Sequence, residues 1–336
     1  MMNLVRTMLS MAIIALPPSL SFAEDKSIYG RDNRLDYFEM PSEIKTLSDS
    51  VVSFWKAGGI EALEPGVVRL KTVSFADAMG LCPGVKYREQ PIGAFCSGSL
   101  VGEDLVMTAG HCVTNEAACA NTKMVFGYSV KKEGAQATTA VPAGEVYGCS
   151  KIVKRFLAGE PGSPVPPGQD MGADFALIKL DRKVTGHRPL AIDRGPGSKD
   201  GYWVFVIGHP VGLPVKLADN AFVSDSSKTG YFTANLDTFG GNSGSPVFGA
   251  NKKIVGILVR GDGDFVSSPA GCTTMATFPF NGGRGEDVTK ISALSASIPK
   301  LPGEKVYDPA ATHAVGVDMS GMQAGLEIPS QTVSFD

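Results

Sequence analysis

A serine set among glycines is the first place in this chain where chemistry can be read. It stands in Phe239-Gly240-Gly241-Asn242-Ser243-Gly244-Ser245-Pro246. A serine hydroxyl is a poor nucleophile, and attack on a carbonyl needs a base for its proton and backbone N–H groups for the oxyanion that forms. Gly241 has no side chain, so the backbone there can approach a substrate and turn its N–H outward together with that of Ser243. The same residue types also make an ordinary surface turn. Two upstream segments separate these readings. Thr108-Ala109-Gly110-His111-Cys112 supplies an imidazole, and Asp174-Phe175-Ala176-Leu177-Ile178-Lys179-Leu180 supplies a carboxylate at the head of an apolar run. Such a carboxylate can accept a hydrogen bond from the imidazole and fix its tautomer. Asp170 competes for that role from a Gly-rich stretch that no strand follows. His209 is the rival base, placed between a strand end and a Pro-rich turn. The order His, Asp, Ser is one of three in which this geometry recurs on unrelated folds.

The three segments together resemble the active-site motifs of trypsin-like serine endopeptidases. Gly-Asn-Ser-Gly-Ser-Pro resembles the bacterial branch that includes the glutamyl endopeptidases. The resemblance spans roughly residues 29–297 and implies an all-β, chymotrypsin-like fold of two six-stranded antiparallel β-barrels with a C-terminal helix. By resemblance, Ser243 attacks the peptide carbonyl, His111 takes and returns the proton, Asp174 orients His111, and the N–H groups of Gly241 and Ser243 form the oxyanion hole. Asp237 lies six residues before Ser243, the offset that in the family places a residue at the base of the substrate pocket. Thr238 follows it, and the strand-like run ending at Arg260 and Gly261 supplies a wall of the same pocket. A carboxylate at that base implies cleavage after Arg or Lys, because an apolar pocket would leave the cation dry and unpaired. Phe239 replaces the cysteine that braces the trypsin pocket, and Arg260 is within reach of Asp237 to neutralise it. Glutamyl endopeptidases carry a histidine where this chain has Leu258, so a glutamate preference is not implied. Trypsin has an aspartate where this chain has Asn242, so its activation switch is not implied either.

The elements that must position these groups read as short strands. The chain has 336 residues, 43% hydrophobic and 19% charged, with 40 glycines and 22 prolines punctuating β-branched runs. That composition describes a globular, turn-rich, all-β protein. Ser50 to Phe54 reads as a first strand, 67–130 as strands broken by Gly and Pro, and 158–168 as a surface loop or a link between halves. Val288, Ile291, Leu294 and Ile298 recur at helical spacing, which predicts a helix; by resemblance, such a helix closes the second barrel. The expected division is 1–23 signal peptide, 24–65 N-terminal segment or propeptide with the first strand possible within it, 66–300 protease domain, and 301–336 tail of no assigned role.

Residues 1–23 have the layout of a secretory signal, with Arg6, an apolar run from Met8 to Leu16, and Ser21 and Ala23 before a cleavage site. A secreted or periplasmic, monomeric protein with no membrane contact after cleavage follows. In that compartment six cysteines read as disulfides. Cys96 and Cys112 flank the strands that lead to His111, and the family carries a bridge beside this histidine. Of the three pairings open to the other four cysteines, Cys119 with Cys149 and Cys82 with Cys272 is favoured. The net charge of −3 gives no basic footprint for nucleic acid. No metal or cofactor is expected, since His111-Cys112 lacks any further ligand spacing. The partners expected are protein or peptide substrates. Two alternatives are a non-catalytic exported binding protein on the same fold, and a serine esterase, although Gly-x-Ser-x-Gly within an α/β alternation is not matched.

Overall fold

A computed structural model describes residues 28–159, 172–261 and 263–304. The expected signal peptide, Asp170 and nearly all of the tail lie outside these residues. Twelve strands build two barrels. The first contains β1 (Val51–Lys56), β2 (Cys96–Gly102), β3 (Leu105–Thr108), β4 (Thr122–Val125), β5 (Val146–Leu157) and β6 (Asp174–Leu180), and closes in the order β4-β5-β6-β3-β2-β1. The second contains β7 (Trp203–Gly208), β8 (Lys216–Asp225), β9 (Tyr231–Ala234), β10 (Pro246–Gly249), β11 (Ile254–Arg260) and β12 (Glu286–Lys290). It runs β7-β10-β11-β12-β9-β8, and a further β7 to β8 pairing closes it. All of these pairings are antiparallel, which is the chymotrypsin fold.

Strand periodicity explains how the barrels share a core. In β7, Val204 and Val206 face the interior of the second barrel with Ala218, Phe232 and Val247. Phe205 and Ile207, pointing the other way, join the cluster that also holds the first barrel's Phe54, Leu100, Val106 and Ile178. Phe205 stacks on Phe248 of β10 with ring centroids 5.0 Å apart. One sequence register therefore fills a barrel on one face and seals the inter-barrel contact on the other.

Strand β1 lies within 24–65, where the sequence allowed a first strand, and pairs with both β2 and β4, so the first barrel includes that segment. One expectation is corrected. The stretch expected as a C-terminal helix is instead β12 followed by two 3₁₀ turns, Ile291–Ala293 and Ser295–Ser297. Val288 faces Phe232 and Leu258 in register. All four spaced residues are buried, so the periodicity reported burial rather than helix. Closing the barrel requires strand through Lys290, which leaves few residues before Pro299.

All six cysteines pair, Cys82 with Cys272, Cys96 with Cys112, and Cys119 with Cys149. The N-terminal stretch lies on the second barrel. Ile28–Tyr29 pairs in parallel with Thr277–Phe278, and Leu35–Asp36 pairs with β8.

Candidate active site

The β3 to β6 register sets the histidine against the aspartate. Ala176 faces Thr108, so the start of β6 meets the loop that follows β3. Asp174 is 1% exposed there. Its Oδ1 accepts the N–H of Gly110 at 2.6 Å and that of His111 at 3.2 Å, while Oδ2 lies 2.6 Å from His111 Nδ1. A carboxylate can only accept here, so Nδ1 carries the proton and Nε2 keeps the lone pair that a base needs. Glycine at 110 is required, because a Cβ would stand 2.5 Å from the Phe156 carbonyl and 2.9 Å from Asp174 Oδ1. Burial of the carboxylate is offset by these three donors, and the Asp174 backbone is anchored separately, its N–H donating to Thr289 Oγ1 at 2.9 Å.

Ser243 enters from the second barrel, on the turn before β10. Its carbonyl accepts Ser97 N–H of β2 at 2.9 Å and lies 3.6 Å from Cys112 Sγ, so the serine backbone touches the disulfide beside His111. Its hydroxyl makes no hydrogen bond to His111 in this structure, a pair that commonly tightens only around substrate. The turn itself is held from three sides. Gly240 N–H donates to Asp264 Oδ2 at 2.7 Å, Ser97 Oγ donates to the Gly241 carbonyl at 2.8 Å, and Asn242 N–H donates to the Phe239 carbonyl at 3.0 Å. Gly241 has φ +82°, and a Cβ there would meet the His209 carbonyl at 2.7 Å. Among the described residues, the N–H groups of Gly241 and Ser243 meet no acceptor. Two unpaired donors, the serine's own N–H and that of the glycine two residues before it, can bind an oxyanion.

The expected pocket residues are differently engaged. Asp237 is not an open carboxylate at a pocket base. Its Oδ1 accepts Tyr29 N–H at 2.8 Å and its Oδ2 accepts Asn33 N–H at 3.3 Å. Burial pushes its pKa up to about 6, against these two backbone donors and the nearby Arg34 charge, which act in the opposite direction. Thr238 is fully buried and donates to Glu286 Oε2 at 2.7 Å. Arg260 does not neutralise Asp237: its Nε donates to Asp287 at 3.2 Å and its Nη2 to the Gly172 carbonyl at 2.7 Å. Gly261 is half-buried just beyond β11. His209 is buried, with Nδ1 against the Leu213 carbonyl at 3.0 Å and its ring stacked on Tyr128, so the rival base is packed in an interior.

Sequence reasoning missed Tyr29, Arg34, Asp264, Glu286 and Asp287. Arg34 is fully buried, bonded to Asp32 through Nε and Nη2 and lying over the Phe239 ring at 4.5 Å. The available signal was the adjacent acidic pair Glu286-Asp287 heading the short run Val288-Thr289. Cys96, His111 and Cys112 form a cluster within 4.8 Å, but the disulfide uses both sulfurs and leaves no thiolate for a metal.

Residues 96–257 match the family described as a trypsin-like peptidase domain. No curated protein matches the sequence. Among solved structures, the VesB protease of Vibrio cholerae aligns at 16% identity over 81% of this chain and 67% of its own, with a TM-score of 0.47. A Glu endopeptidase in complex with MPD aligns at 16% identity over 81% of this chain and 96% of its own, with a TM-score of 0.42. The matched residues run from the first cysteine of the histidine bridge through Ser243 into β11, and over that stretch the chain is similar to the trypsin-like peptidase domain.

Proposed function

We propose that this chain is an exported serine endopeptidase working through an acyl-enzyme, with Ser243 as nucleophile, His111 as base and then acid, and Asp174 as the group that orients His111. The observation that carries the reading is the pair of unpartnered N–H groups at Gly241 and Ser243, in a turn that touches the disulfide beside an imidazole whose tautomer Asp174 fixes. As Ser243 Oγ bonds to the carbonyl carbon, its proton passes to His111 Nε2 and the carbonyl oxygen takes up charge. The two donors stabilise that charge, each contributing on the order of 3 kcal/mol to the barrier reduction. His111 then gives its proton to the leaving amine, and water repeats the sequence on the acyl-enzyme. Export rests on the N-terminal layout and on three disulfides, which persist in oxidising compartments.

The preference for Arg or Lys is withdrawn from this reading, because both oxygens of Asp237 already accept backbone hydrogen bonds.

A fluorophosphonate probe tests the core claim. Labelling at Ser243, lost in His111→Ala, is expected. An unlabelled, folded protein would indicate a binding protein on the same fold, and turnover of simple esters without peptides would indicate an esterase. N-terminal sequencing of secreted protein tests export, and a mature chain beginning at Met1 would reject it.

A further inference from the structure

Away from the serine, a pocket of about 190 Å³ lies among helix Ser42–Ser48, the segment after β4 and the loop carrying His209. Three side chains that line it hold a buried polar atom with no hydrogen-bond partner: Ser48 Oγ, His187 Nδ1 and His209 Nε2. Unpaired buried polar atoms are costly and rare, and three around one space call for an occupant.

Their chemistry can be read from their other bonds. His209 Nδ1 faces the Leu213 carbonyl at 3.0 Å, an acceptor, so Nδ1 carries the proton and Nε2 is a bare lone pair. His187 Nε2 faces the Glu145 carboxylate at 2.7 Å, so in the neutral imidazole Nε2 carries the proton and Nδ1 is likewise a lone pair. Burial pushes the His209 pKa down to about 3, with the Leu213 carbonyl opposing and the Lys216 charge adding to the shift, so this imidazole stays neutral. The charged groups lining the pocket are the carboxylates of Asp49 and Glu145 and the ammonium of Lys131. Asp49 already accepts the Tyr37 hydroxyl at 2.9 Å. Acceptors exceed donors, and negative charge exceeds positive. The size fits a ligand slightly larger than benzene, which fills a cavity of about 150 Å³.

We propose that this pocket binds a small organic ammonium ion, its N–H groups donating to His187 Nδ1 and His209 Nε2. A transition metal is the poorer complement: among the described residues, no cluster of three ligand atoms includes either histidine. The site stands apart from Ser243 but is connected to it, since His209 N–H donates to Ser97 Oγ at 2.9 Å and Ser97 Oγ donates to the Gly241 carbonyl.

Calorimetric titration of the full chain carrying Ser243→Ala, with cyclohexylammonium as probe and cyclohexanol as its neutral counterpart, reads the site independently of catalysis. Saturable binding at one site with a dissociation constant near about 1 mM is expected, the range open to a ligand of this size. His187→Phe and His209→Phe, which keep a ring against Phe126 and Tyr128, should each weaken it about tenfold, the loss of one hydrogen bond to a charged donor. If His209→Phe does not fold, Ser48→Leu, which fills the pocket, should abolish binding instead. No saturable binding, equal affinity for cyclohexanol, affinity unchanged in the folded variants, or a soaked crystal showing only water in the pocket would each overturn the proposal.

Discussion

Asp237 and Tyr29, 208 residues apart in sequence, are joined by a hydrogen bond from the Tyr29 N–H to Asp237 Oδ1 at 2.8 Å. The bond ties the N-terminal stretch to the segment leading into the Ser243 turn. Around it, the Tyr29 hydroxyl donates to Glu286 Oε1 at 3.2 Å, Thr238 donates to the other oxygen of Glu286, and Arg34 covers Phe239. Asp237 thus holds a chain segment in the place where the sequence suggested a substrate cation.

This placement gives a pH signature. The folded pKa of Asp237 is raised from 3.8 to about 6, with burial as the leading cause. Between those values the folded state binds the proton that the unfolded state releases, so its contribution to stability falls as pH rises from about 4 to about 6, then levels off. Asp237→Asn removes the titration. Unfolding free energies of the two proteins, measured by urea denaturation at pH 4, 5, 6 and 7, should converge or cross over that interval by up to about 3 kcal/mol and run parallel above it. Parallel curves throughout would show that Asp237 does not titrate in this way. A peptide library varied before the scissile bond should give the same preference for both proteins.

Asp174→Asn should leave the barrels folded, since Asn can still accept the Gly110 N–H that Asp174 Oδ1 holds. Turnover should fall by a factor on the order of 10⁴, because the amide donates to Nδ1 and leaves the proton on Nε2. Steady-state kinetics with circular dichroism separates the two effects. An active variant would remove Asp174 from the mechanism.

Gly241→Ala should lower kcat by roughly 10²–10³, the effect of losing one oxyanion donor. An alanine at φ +82° is strained, and its Cβ would sit 2.7 Å from the His209 carbonyl, so the turn must shift and take its N–H with it. KM should change much less, since the donor acts on charge that develops in the transition state. A raised KM with kcat unchanged would assign the effect to substrate binding instead.

The residues of the proposed centre stood out because each sits in a short segment of telling composition. The glycines at 110 and 241 are demanded by close approaches from elsewhere in the chain, by the Phe156 carbonyl and Asp174 and by the His209 carbonyl, and the carboxylate opens its own strand. The strands were legible from β-branched runs punctuated by Gly and Pro, and their arrangement as two barrels from the family resemblance alone. The pocket was not, because its partners are chosen by three-dimensional register: Asp237 meets Tyr29, Thr238 meets Glu286, and Arg260 meets Asp287 only after the second barrel closes. The failed helix has the same origin, as residues buried from successive turns mimic a helical repeat.

The pairing of Lys216 with Asp36 extends this reasoning to the whole N-terminal segment. Both side chains are almost fully buried, and Lys216 Nζ also donates to Gln90 Oε1 at 2.7 Å and to the Pro214 carbonyl at 3.1 Å, while Gln90 Nε2 donates to Asp36 Oδ2 at 2.8 Å. Burial pushes the Lys216 pKa down to about 8 even though Asp36 favours the charged form, so desolvation outweighs the pair's attraction. Such a pair adds little net stability, yet breaking it strands one charge in an apolar interior. Asp36→Asn and Lys216→Met should therefore each destabilise by about 3–5 kcal/mol, whereas the double variant should cost clearly less than the sum, with a coupling of at least about 1 kcal/mol. A double-mutant cycle by urea denaturation measures this directly. Additive costs would mean that the two groups act separately, and that Leu35–Asp36 is held on β8 by its backbone pairing alone.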